Sequence, residues 1–93
     1  MDFASKNKEM KLAFDLLDEL CIKCFRYSEE ETRIAIKEEI KHRFDHARDD
    51  VMRSAILTVQ QYFKNMTHQQ IYDLMIMAKE KRIKKPIKNS LHM

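Results

Sequence analysis

Four residues carry metal-ligand chemistry at suggestive spacings. Cys21 and Cys24 stand at C-x-x-C in "ELCIKCF", and His42 and His46 at H-x3-H in "HRFDH". Together they are the donor set of a tetrahedral Cys2His2 zinc site. The seventeen residues between the pairs exceed the usual finger spacing, and no glycine-containing knuckle surrounds the cysteines. Geometry adds a second objection. A helical hairpin about Ser28 sets position 42 opposite position 14, which displaces Cys21 by about 10 Å and Cys24 by about 15 Å along the axis. Zinc ligands converge to about 2.0–2.3 Å from the metal, so that hairpin cannot unite the four.

The expectation is therefore no metal and no cofactor. The cysteines read as small apolar members of a helix stripe. A thioredoxin-like role would place C-x-x-C at a helix N-terminus, whereas here it lies near a C-terminus, where the dipole opposes a thiolate. His42 and His46 share a helix face with Glu38, Glu39, Asp45 and Asp49. Glu39 and His42 have the Glu-x-x-His spacing of di-iron bundles, but no second copy of that motif exists, so this face reads as solvated and charged.

Catalytic signatures are missing. The chain holds no phosphate loop, no G-x-S-x-G and no glycine at all, and so lacks the usual means of building backbone anion nests. The expectation is a protein that is not an enzyme.

The elements that position these residues follow from composition. Ninety-three residues suit one domain with a small core, and 44% apolar content is ample for folding. Hairpin turns lean on glycine, so a chain without it, and with Pro86 as its one proline, favours helices joined by polar caps. The N-terminus "MDFASKNKEMK" offers charges where a secretory signal needs an apolar stretch, and two nearby cysteines make no disulfide framework. A reducing cytoplasm and no membrane span are expected.

Periodicity then sets the helices. Met10, Phe14, Leu17, Cys21 and Cys24, widened by Ala13 and Leu20, predict a first helix from near Ser5 to about Arg26. Ser28 with Glu31 has capping-box spacing, and acids at 29–31 suit a helix N-terminus. The stripe Ile36, Ile40, Phe44, Ala47, Val51, Ala55, Val59 keeps phase across "RDD", which favours one continuous or kinked helix over 29–65. The alternative is a fresh helix capped by Asp49 or Asp50. Thr67 and Gln70 repeat the capping-box spacing ahead of a last helix from His68 to about Lys84, ended by Pro86. The expected fold is all-α: an antiparallel three-helix bundle with a long, kinkable central helix, or four helices if it breaks near Asp49. Residues 1–85 form the domain and 86–93 a basic, disordered tail.

Function is expected to lie in binding. "IYDLMIMA" at 71–78 is apolar at seven of eight positions, more than a one-sided helix needs. Tyr62, Phe63, Ile71, Tyr72, Leu74, Met75, Ile76 and Met77 are the expected partner interface, in a homo-oligomer, dimer favoured, that binds or inhibits another macromolecule as a regulatory or accessory protein. Residues 79–88 hold six bases and one acid, while the rest holds twelve bases and fourteen acids. Lys79, Lys81, Arg82, Lys84, Lys85 and Lys88 are thus candidate contacts to nucleic acid or another anion, with only weak sequence specificity. A third expectation is a nucleotide-sized anion held between subunits by Arg33, Lys37, Arg48 and Arg53.

Overall fold

Capping chemistry decides where the second, third and fourth helices start. In the computed structural model, which describes the backbone of residues 3–91 and the side chains of 7–82, the elements are α1 (Phe3–Cys24), α2 (Glu29–His46), α3 (Asp50–Asn65) and α4 (His68–Leu91). All regular structure among the described residues is helical. At α2, Ser28 Oγ accepts from the Glu31 N–H at 3.3 Å, as its spacing predicts. At α4 the box is reciprocal: the Gln70 N–H donates to Thr67 Oγ1 (3.1 Å) and the Thr67 N–H to Gln70 Oε1 (2.8 Å).

The continuous helix over 29–65 is overturned. Ala47 and Asp49 are extended, and Asp49 Oδ1 accepts from the Met52 N–H at 2.7 Å, starting a fresh helix. A straight helix of that length would reach about 55 Å, beyond the 41 Å longest extent of the molecule. The chain instead folds back, so that Arg33 near the start of α2 meets Phe63 and Met66 at the end of α3. Residues on both sides of such a turn still face one core, which is why the stripe keeps phase across it. Pro86 also fails to end the last helix, which continues to Leu91. Proline withdraws a single N–H, the one that would meet the carbonyl at 82, and the lysines around it are good helix formers.

The core gathers around α1, which packs against all three other helices. Its buried face is Ala13, Leu16, Leu17, Leu20, Cys21 and Cys24; against it lie Ile36 and Ile40 from α2, Ala55, Ile56, Val59 and Phe63 from α3, and Ile71 and Met75 from α4. Each Leu, Ile, Val, Phe or Met among them contributes about 1.5–3 kcal/mol of burial. The arrangement is not antiparallel throughout. α1 and α2 oppose each other, whereas α1 and α3 run the same way: Glu9 bonds Ser54, and Phe14 and Leu17 share a groove with Tyr62 and Met66.

One buried hydroxyl fixes the α1–α2 turn. Thr32 is fully buried; its Oγ1 accepts from the Arg26 N–H at 2.8 Å and lies 2.8 Å from the Arg26 carbonyl and 3.0 Å from that of Ser28. His68, at the start of α4, places Nε2 2.9 Å from the same Arg26 carbonyl and stacks on Phe25 with ring centroids 5.0 Å apart. The beginning of α4 is thereby tied to the end of α1.

Candidate functional site

The expected stripe of α1 is rotated in the structure, and the mismatch creates the site. Leu16 takes a core position, while Met10 and Phe14 remain 52% and 50% exposed. Phe14 and Leu17 form one wall of a groove of about 450 Å³; Tyr62 and Met66 at the end of α3, and Gln70, Asp73 and Leu74 on α4, complete it. A smaller hollow of about 100 Å³ continues it along α1, lined by Glu9, Met10, Ala13, Phe14, Thr58 and Tyr62. Met77, 56% exposed, lies three residues beyond Leu74 and therefore on the same helix face. Glu9 and Asp73 border this strip, and no cation lines it among the described residues.

The residues expected at a partner interface fall in three places. Tyr62 and Leu74 line the groove and Met77 flanks it. Phe63, Ile71 and Met75 are corrected: all three lie in the chain's own core, because α4 lays that face on α1. Tyr72 and Ile76 are exposed on other sides of α4, Tyr72 beside Phe25 at 5.4 Å between centroids. Met10 and Phe14, expected on the core stripe of α1, instead stay half-exposed at the groove, whereas Leu17 of the same stripe is buried in the core and reaches the groove wall. Their available signal was an apolar arc on α1 too wide for a helix of so small a domain.

A larger depression of about 630 Å³ lies along Ser28, Glu29, Glu30, Arg33, Ile34 and Lys37. Its wall is charged with both signs, and Ile34 is its one large apolar group. Arg33 is also committed elsewhere: Nη1 donates to the Phe63 carbonyl at 2.7 Å and Nη2 to that of Met66 at 2.6 Å. Arg53 likewise donates to the Ala47 carbonyl at 3.1 Å. Two of the four residues expected to hold an anion between subunits thus serve helix ends.

The Cys and His pairs are kept apart for a reason other than the expected one. Arg43 bonds Glu19 and Lys23 bonds Glu39, so His42 stands near the level of Leu20, not Phe14. Rotation separates the pairs: both cysteines are buried, while both histidines face solvent with ring centroids 4.3 Å apart. Cys24 and His42 do border one shallow hollow with Glu38 and Glu39, but the Cys24 thiol points at the Ala35 carbonyl, 3.6 Å away. No group of three or more His, Cys, Asp or Glu among the described residues is placed to hold a metal ion. Burial, then the charge of Asp18, pushes the Cys21 thiol up to about 12; burial, then Glu39, raises Cys24. Neither thiol is poised as a nucleophile.

On the basic end of α4, Lys81 bonds Asp18 at 3.2 Å, while Lys79 and Arg82 are exposed. The side chains of Lys84, Lys85 and Lys88 lie outside the described residues. No described helix is long and apolar enough to cross a membrane. No protein-family profile, curated protein or solved structure matches the chain.

Proposed function

We propose that this protein is a non-enzymatic helical interaction module that self-associates and binds or inhibits another macromolecule, as a cytoplasmic regulatory or accessory protein would. The observation that supports this reading is the groove between α1, α3 and α4. Half-exposed Met10, Phe14 and Tyr62 sit beside Leu17, Leu74 and Met77 and form a continuous apolar strip rimmed by polar groups. Contiguous apolar strips of this kind mark contact sites, whereas isolated apolar residues do not. α4 strengthens the case, since its body packs mainly on α1 and leaves Tyr72, Ile76 and Met77 outward.

Sedimentation velocity across a concentration series tests the reading. Assembly at micromolar concentration that is lost in Phe14→Glu, with helicity retained, is the expected result. Assembly indifferent to Phe14→Glu sinks the groove as the contact surface.

A second reading is nucleic-acid binding by the basic end of α4. It is favoured by the helix continuing through Pro86, which carries all six bases on one rod. Affinity for duplex or single strands would then fall steeply with salt; binding that ignores salt removes this reading.

A further inference from the structure

The far end of α4 has the chemistry to fill the groove. Ala78 is the last buried residue of α4 among those described, and the helix backbone continues to Leu91. The ten residues beyond Lys81 extend it by about 15 Å. Ile83, Ile87 and Leu91 recur there at intervals of four, which places them on one face, with Arg82, Lys84, Lys85 and Lys88 interspersed. This is a short cationic amphipathic helix, the form of ligand that lays its apolar face in a groove.

Dimensions and charge agree. From position 83 to 91 the apolar run spans about 12 Å, and the lip of the groove from Met10 to Leu17 spans about 10 Å. The groove is bordered by Glu9 and Asp73 and by no cation among the described residues, opposite in sign to the lysine-rich segment. The segment cannot reach the groove of its own chain. Leu74 and residues 82–91 belong to one continuous helix, which does not fold back on itself.

We infer that residues 82–91 of one copy dock in the α1/α3/α4 groove of a second copy, each chain donating its segment to the other. This rests on the groove being the contact surface proposed above. A reciprocal exchange is isologous and closes as a dimer, so it does not propagate into fibres.

The test uses full-length chains in two variants, with circular dichroism confirming helicity in each. Ile83→Glu with Ile87→Glu spoils the segment; Phe14→Glu with Met77→Glu spoils the groove. Serine replaces glutamate at the same positions if either variant fails to fold. Wild type should be a dimer, and each variant alone should associate about tenfold or more weakly. Mixed, the two variants should form a heterodimer, because one supplies an intact groove and the other an intact segment. If the segment variant dimerises like wild type while the groove variant does not, the occupant is wrong and the groove reading stands. If both variants dimerise like wild type, both readings fall. A wild-type chain that stays monomeric, or a mixture that yields no heterodimer, overturns the exchange.

Discussion

Arg33 donates from α2 to the carbonyl of Phe63, 2.7 Å away at the end of α3. A second bond, 2.6 Å to the Met66 carbonyl, completes a two-pronged cap on the end of α3, where the Phe63 carbonyl also accepts from the Met66 N–H at 3.4 Å. The positive charge also sits where the α3 dipole is negative. This side chain links the start of α2 to the end of α3, one residue from Tyr62 on the groove.

Arg33→Met keeps the stem and removes both donors. It should cost about 1–3 kcal/mol, and should loosen the end of α3 selectively. Hydrogen exchange would show faster amides at 62–66 with α1 unchanged. A loss of protection spread evenly over the molecule would mean that the contact has no local role.

Neighbouring methionines of α4 should behave oppositely. Met75 is 6% exposed and packed in the core, whereas Met77 is 56% exposed. Met75→Ala leaves a cavity and should cost about 2–5 kcal/mol. Met77→Ala should leave monomer stability within about 0.5 kcal/mol, and affect association alone. Urea unfolding of the two variants at low concentration distinguishes them; equal losses would contradict the placement of α4 on α1.

Those two methionines also show how far the sequence is legible. Helix class and starts are readable because capping is local: Ser28 with Glu31 and Thr67 with Gln70 need only three residues of context. The Asp49 cap uses the same chemistry, yet the unbroken stripe around it masks the turn, since a stripe reports burial and not straightness. Which apolar face of α4 turns inward depends on where α1 lies, and that is set by packing at long range. The same dependence hid the groove. Met10 and Phe14 fall in the expected stripe by spacing, and only the rotation that buries Leu16 leaves them outside. The histidine level was misplaced because Arg43 pairs with Glu19, a contact across 24 residues.

Acid should weaken the α1–α2 pairing. The hydrogen bond from Arg43 holds the carboxyls of Glu19 and Glu39 below their ordinary value of 4.5, with Lys23 assisting at Glu39. Because the folded values are depressed, the stabilisation is complete above the unfolded value and is lost as pH falls through the folded ones. Stability should therefore hold at neutral pH and drop below about pH 4.5, the unfolded value. The cluster is partly exposed, so its net worth should be about 1 kcal/mol or less. Glu19→Gln with Glu39→Gln should be weaker at pH 7 and show a shallower acid decline in urea midpoints. Parallel pH curves for the two proteins would remove the cluster from the acid response.

The cysteines give the mirror-image prediction at alkaline pH. Cys21 keeps its proton up to about 12 in the folded chain, and Cys24 is shifted in the same direction, against an ordinary 9.0 once unfolded. The unfolded chain thus releases thiol protons first, and stability falls as pH rises from 9 toward 12. The informative quantity is the difference between wild type and the variant carrying Cys21→Ala with Cys24→Ala. The variant should be less stable at pH 7, because two core side chains are cut back, yet lose less on going from pH 8 to 11. In native buffer at pH 8 both thiols should react with a disulfide reagent far more slowly than in denaturant, since attack needs a thiolate and access to it. Labelling at the unfolded rate would show that neither thiol is held in the core.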